Sequence, residues 1–268
     1  MISASALAYA QARLQARLGM QAPEEVWQPL LATGNYRAFL EQLRATALRP
    51  WVTNVSPISA HHEVERLLRA EFVRRIVEVA SWLPAAYRRA VVWTHVLVDL
   101  PTIDYLLRGD DHAHAGDEAR PITLPWMLES AELKAIAAAD PEARANVLAT
   151  TIYAPLARGD GSLSERWLAE WRARMPRLTK APAAQLQRLL ATLDGHMAAF
   201  AAAAGEEATS ARAAWGLRRA LEGKVRRHFR NGFLAPTAVF AFLILQALEF
   251  ERVRGALVSR LLFGRESA

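Results

Sequence analysis

Residues 233–248, FLAPTAVFAFLILQAL, constrain this chain more than any other stretch. They follow a basic run containing Arg226, Arg227 and Arg230 and give way at once to Glu249, Glu251 and Arg252. A helix that spans a bilayer needs about 20 consecutive apolar residues. This run is 16 residues long, contains Pro236 and Gln246, and exits into charge, so it reads as a helix buried in protein. Phe240, Leu243, Ile244, Ala247 and Leu248 leave almost no polar side on the cylinder, and a helix of that kind has to be surrounded by protein. Gln246, Glu249 and Arg252 recur every three residues as a narrow polar stripe. That stripe is either a buried hydrogen-bonded seam or a contact to a partner.

The rest of the chain reads as helix too. Alanine, leucine, arginine and glutamate dominate, and alternating β-branched runs are missing. The spacing predicts helices over Tyr9–Leu18, Glu24–Leu31 and Tyr36–Ala47, then a long one over His62–Trp82. In the long helix Val64, Leu67, Leu68, Phe72, Ile76 and Val79 form the apolar face, while Glu65–Arg69 and Glu71–Arg75 are acid-before-base pairs on a solvated face. Pro84 opens the next helix and Pro101 breaks it before Ile103–Leu107. Residues 109–121, GDDHAHAGDEARP, form the clearest loop. Beyond it helices are expected over 125–139, 141–158, 162–175 and 182–204. Residues 205–210 then make a short polar link. Residues 67–109 and 217–264 share an arginine-rich helix, a proline-opened apolar helix and a closing Leu-Leu-x-Gly, a faint internal repeat. The expected fold is all-α, with helical units at 1–109, 110–210 and 211–268.

Several classes of function are excluded or weakened. With no cysteine there is no disulfide framework, thiolate zinc cluster or cysteine nucleophile. Apolar residues make up 52% and charged residues 22%, which argues against disorder. The opening MISASALAYAQARLQARL has no charged region ahead of its apolar residues and does not read as a signal peptide. The net charge of +6 suits an acidic partner, an anionic membrane face or nucleic acid. Its basic residues are spread along helices among 27 acids, so nothing resembles a nucleic-acid arm and no nucleic acid is expected as partner.

No catalytic centre stands out. Asp110, Asp111, His112, His114 and Asp117 share ligand chemistry, but sit in a glycine-bearing loop that reads as solvated linker. Asp99 and Asp104 flank Pro101, where capping and pairing to Arg88, Arg89 or Arg108 are the simple roles, and His95 reads as a hydrogen-bonded interior group. A helical enzyme would have to use Asp99, Asp104 and His95, whereas a scaffold or nucleic-acid module would use Arg218, Arg219, Arg226, Arg227 and Arg230. Gly223-Lys224 lacks the spacing of a phosphate loop.

Four segments, in order along the chain, carry a resemblance: Tyr9, Ala10, Ala12 and Arg13; the Val64–Arg75 helix; DLPTIDYLLRG from Asp99 to Gly109; and Phe229 to Arg254. They are similar to the C subunit of archaeal and bacterial V-type/A-type rotary ATPases and to the related eukaryotic subunit d. The chain departs from that pattern at Gly232, Gln246, Ala247, Glu251, Arg252, Val253, Ile103 and Asp104, and is shorter than usual members. The resemblance implies a non-catalytic, cofactor-free socket built as a funnel of pseudo-repeated helical units. It implies central-stalk subunits and the membrane proteolipid ring as partners, an anionic membrane surface as a further contact, and a peripheral place on the cytoplasmic face. The residues it points to for partner contact or structure are Asp99, Arg108, Arg226, Arg227, Phe229, Arg230, Glu249, Arg252 and Arg254.

Overall fold

A computed structural model describes residues 4–108, 127, 129–178, 180–204 and 211–263. Among these the fold is all-α, with no strand. The first part contains α1 (Ala4–Gly19), α2 (Glu24–Ala32), α3 (Tyr36–Arg44), α4 (Arg49–Val52), α5 (His61–Ser81), α6 (Ala85–Trp93) and α7 (Leu100–Arg108). The middle holds α8 (Ala131–Ala138), α9 (Arg144–Leu148), α10 (Leu163–Arg174) and α11 (Lys180–Ala204). The last two helices are α12 (Ala211–Asn231) and α13 (Pro236–Phe263). Loop 109–121, with its Asp and His residues, lies outside the described residues, as do both expected unit boundaries.

The apolar run becomes the first part of α13, opened by Pro236 at a position where a missing N–H costs nothing. Every residue from Pro236 to Gln246 is buried. α13 packs against α12, α5, α11, α1 and α3, which encloses it as its uniform apolarity requires. Among the described residues no single helix is long and apolar enough to cross a membrane.

α5 places Val64, Leu68, Phe72 and Ile76 wholly inside, at the four-residue spacing that keeps one helix face continuous. Phe72 meets Phe250 of α13 with ring centroids 5.2 Å apart. A second packing centre joins α6, α10 and α13. The indole N–H groups of Trp93 and Trp167 each donate to the other residue's carbonyl, at 3.2 and 3.3 Å. Trp171 donates to the Ala90 carbonyl at 2.9 Å and stands edge-on to Phe240 at 5.4 Å. Buried tryptophans are apolar bodies with one donor to satisfy, and all three here satisfy it.

Several elements depart from the periodicity. The single helix expected over 141–158 is broken into a 3-10 turn at Pro141–Ala143, α9, and a second 3-10 turn at Ala154–Ala157. Thr150 and Thr151 turn their hydroxyls back onto the Val147 and Leu148 carbonyls, each at 2.8 Å, and Pro155 has no N–H to continue the ladder. The segment expected over Tyr36–Ala47 ends at Arg44, and a turn follows before α4. Between α6 and α7 the chain passes through a 3-10 turn, Thr94–Val98, with a 56° bend. That bend is at Asp99; Pro101 sits in the first turn of α7, where proline is tolerated. The corresponding apolar half of the second segment, α13, is unbroken, so the two sequence-similar segments differ in this respect.

Candidate functional site, an ionic seam along the last helix

The polar stripe on α13 is a seam buried inside the protein. Gln246 is 4% exposed and accepts from Arg75 Nη1 at 2.9 Å. Glu249, one turn on, lies 3.4 Å from the same guanidinium nitrogen and accepts from the Trp51 indole N–H at 2.9 Å. The Arg75 guanidinium also lies over the Trp51 ring, 3.7 Å from its centroid, and its Nε donates to Glu71 at 2.8 Å. One arginine of α5 therefore ties together α4, α5 and α13. Its planar fork and aromatic affinity suit this role in a way that a lysine ammonium does not.

A second set of bridges runs from α13 in the opposite direction along α5. Arg254 Nε donates to Glu65 at 2.6 Å, and Arg69 Nε donates to the other Glu65 oxygen at 2.8 Å. Arg69 reaches on to Asp99 at 3.3 Å, and Asp99 accepts from the Tyr153 hydroxyl at 3.0 Å. Four links thus connect α13 through α5 and the 3-10 turn to Tyr153. Because Arg75 meets Gln246 while Glu65 meets Arg254, α5 and α13 run antiparallel.

Arg252 completes the stripe on another side. It grips Glu24 with both terminal nitrogens at 2.8 and 3.1 Å and lies over the Trp27 ring at 4.3 Å. Arg260, near the end of α13, donates to the carbonyls of Leu30, Leu31 and Thr33, capping the C-terminal end of α2 over the Phe39 ring. Arginines from α13 thus hold α2 and α5, and Arg75 of α5 holds α4.

The charge states follow from this geometry. Burial pushes the Glu249 carboxyl above the usual carboxylate range, against the opposing pull of the Trp51 N–H and Arg75. Asp99 behaves alike: burial raises it, while Arg69 and the Tyr153 hydroxyl pull it down less strongly. Tyr153 is itself pushed upward, first by burial and then by the Asp99 charge. Burial opposes the Glu71 charge as well, but hydrogen bonds from Arg74 and Arg75 together outweigh it and hold Glu71 low. The hydrogen bond from Arg252 lowers Glu24.

The residues singled out from sequence thus separate into three groups. Glu249, Arg252, Arg254 and Asp99 are joined to the rest of the fold by the bridges above. Phe229 is core, 4% exposed, and Arg226 pairs with Glu222 on its own helix and donates to Gln21 at 3.2 Å. Arg108 is exposed and pairs with Asp104 at 2.6 Å, while Arg227 and Arg230 are exposed on α12. Asp99 takes Arg69 as its cation in place of Arg88, Arg89 or Arg108. His95 is only half-buried; its Nδ1 lies 2.5 Å from the Val92 carbonyl and the ring lines a cleft with Asp99 and Tyr153.

The main correction concerns α5. Its two acid-before-base pairs are not on a solvated face: the Glu65 and Arg69 side chains are 6% and 9% exposed, and Glu71 and Arg75 are 14% and 16%. Arg75, Trp51, Glu65, Arg69 and Tyr153 were therefore missed as site residues. The available signal was the match between two polar stripes, Glu65/Arg69/Arg75 on one helix and Gln246/Glu249/Arg254 on the other, each embedded in apolar sequence.

Comparisons with protein-family models, with curated proteins and with solved structures return no match. What the fold and site define, among the described residues, is an all-α protein whose longest helix is locked to its neighbours by arginine bridges.

Proposed function

We propose that this protein is a non-catalytic central-stalk adaptor of a V-type/A-type rotary ATPase. It couples the cytoplasmic rotor shaft to the membrane proteolipid ring during proton or sodium ion transport. Its pseudo-repeated helical units, arranged as a funnel, belong to the same proposal, as does its place on the cytoplasmic face. The observation that carries the reading is that residues of three resembling segments meet in bridges between helices: Arg69 with Asp99, Arg75 with Glu249, and Glu65 with Arg254. An adaptor under torque has to resist sliding between its helices. Buried ionic bridges add direction-specific resistance to the non-directional packing of a close-packed core.

The turn between α12 and α13 supports a partner-facing end. Phe233 and Leu234 are exposed there at 58% and 46%, next to exposed Arg230 and Arg227. Leu234 adopts φ 56°, a left-handed conformation that costs a leucine about 1 kcal/mol or more. An apolar tip with cations beside it suits ring loops or the anionic leaflet they emerge from.

A helical enzyme is the second reading, and it rests on the cleft of Asp99, His95 and Tyr153. Both Asp99 oxygens are already engaged, by Arg69 and by Tyr153, which favours the structural role. The test is affinity purification of the tagged chain from washed native membranes. Recovery of ring and shaft subunits supports the adaptor, and recovery of the chain alone from cells that contain the whole complex overturns it.

A further inference from the structure

A cleft of about 470 Å³ lies where α11, α12 and the start of α13 meet. Arg188 and Thr192 line it from α11, Lys224, Arg227 and His228 from α12, and Thr237 from α13; among the described residues no acid contributes to the wall. Lys224, Arg227 and His228 share one face of α12, being three and four residues apart. Among the described residues no ion pair engages Arg188, Lys224 or Arg227, which line one cleft together. Three uncompensated cations around one concavity are mutually repulsive unless an anion joins them.

The cleft floor adds an independent observation. The Thr237 hydroxyl is buried without a hydrogen-bond partner, in a residue 1% exposed. Leaving such a group unsatisfied costs about 1–3 kcal/mol. It sits in the first turn of the 28-residue α13, where the helix dipole favours negative charge. The opposite wall is fixed in place: Thr192 Oγ1 lies 2.9 Å from His228 Nε2 and 3.0 Å from the Arg188 carbonyl. Both contacts are hydrogen bonds when the threonine donates to the carbonyl and the imidazole Nε2–H donates to the threonine, which leaves His228 Nδ1 as the site that titrates.

We propose that this cleft binds a phosphomonoester group, with Arg188, Lys224 and Arg227 as its cations and Thr237 at its inner end. A dianion with tetrahedrally arranged oxygens matches three separated cations, and guanidinium forks take phosphate oxygens two at a time. A single carboxylate leaves two of the three charges uncompensated. The same phosphate chemistry is carried by a free ester and by the headgroup of phosphatidic acid. The site goes beyond the adaptor reading and does not depend on it, because it rests on the cleft alone.

His228 reports on occupancy. Burial lowers its pKa, and Arg188 and Arg227 lower it further. The charged groups at the cleft are Arg188 from α11 and Lys224 and Arg227 from its own helix; the start of α13 contributes Thr237 and no charge. A bound phosphate anion favours the imidazolium, so binding raises the His228 pKa.

The experiment follows the His228 ring proton by NMR across pH in the full chain, with inorganic phosphate, with a short-chain phosphatidic acid, and with sodium chloride at matched ionic strength. The expected result is a saturable rise of the His228 midpoint by roughly half a unit or more with a phosphate ligand. Arg188→Glu and Arg227→Glu, both at exposed positions, each weaken binding about tenfold or more, and Thr237→Val weakens it with the fold intact. Response to inorganic phosphate identifies a free ester, and response to phosphatidic acid alone identifies a lipid headgroup; either supports the site. An equal shift with chloride, no shift with either phosphate ligand, or a shift indifferent to the charge reversals overturns it.

Discussion

Arg254 and Glu65, 189 positions apart in sequence, are joined by a 2.6 Å hydrogen bond between the guanidinium Nε and a carboxylate oxygen. Glu65 is 4% exposed and holds Arg69 with its other oxygen, so one acid of α5 bridges two arginines. Removing it takes the nearest acid from both, leaving buried Arg69 with Asp99 at 3.3 Å and Arg254 with Glu251 at 3.6 Å. Glu65→Ala is therefore expected to cost about 3–5 kcal/mol, the range for breaking one partner out of a buried pair. Urea unfolding followed by far-ultraviolet circular dichroism checks this, with Glu41→Ala, an exposed acid on α3, as the control that changes stability little.

Arg75 is the corresponding position of the other bridge set. Truncation removes donors from Glu71, Gln246 and Glu249 and uncovers one face of Trp51. Arg75→Ala is expected to lose about 3 kcal/mol or more, while Arg74→Ala, whose side chain is 55% exposed, loses less than about 1 kcal/mol. Two neighbours on one helix, each paired with Glu71, then separate by burial and by the partners on α4 and α13 that Arg75 reaches. Equal losses at the two positions contradict the burial of the seam.

The comparison of these neighbours shows why the seam was hard to read from sequence. An acid and a base four residues apart look the same in water or in a core, because the spacing reports only that they share a helix face. Which face is buried depends on the helix packed against it, and the partner of α5 lies more than 170 positions away. The environment of α13 was legible, since a cylinder apolar on nearly all sides admits only a protein interior. The stripe through Gln246, Glu249 and Arg252 was legible as polar; its side of contact was settled by Arg75, Trp51 and Glu24. The helix over 141–158 failed for a local reason, because alanine-rich composition masked the effect of Thr150, Thr151 and Pro155.

The pH dependence of Glu249 has a definite sign. Burial raises its folded-state pKa above the unfolded value. The stability that this group contributes is complete below the unfolded carboxyl pKa, about 4.3, and is lost as pH rises through the folded value. Glu249→Gln keeps an acceptor for the Trp51 N–H and removes the titration. The stability of the wild type relative to Glu249→Gln should fall as pH is raised from 4 to 7.5, measured by urea unfolding at each pH. For Glu24, which Arg252 holds low, the sign reverses: its contribution is present above the unfolded pKa and is lost as pH falls through the folded one. Glu24→Gln should therefore differ most from wild type at neutral pH.

Gly232 tests the α12–α13 junction. A β-carbon there meets the His228 carbonyl at 2.9 Å, the Ala238 nitrogen at 3.0 Å and Thr237 at 3.1 Å, and the first two are backbone atoms that cannot swing aside. The same contacts disfavour proline at this position. Gly232→Ala is expected to destabilise by about 1–3 kcal/mol, the usual scale of overpacking, and thermal unfolding monitored by circular dichroism checks it. Gly223→Ala, on α12 where nothing lies within 4 Å of the added carbon, should be neutral or stabilising by up to about 1 kcal/mol.

The adaptor account is tested most directly by native mass spectrometry of the rotary ATPase released in detergent from membranes of cells that express this chain with an affinity tag. The account predicts one copy of the chain in each particle containing the proteolipid ring, with shaft subunits attached. It also predicts that Arg75→Ala lowers occupancy where the fold loosens. Intact ring-and-shaft particles in which this chain is absent, with all of it recovered free, contradict the account.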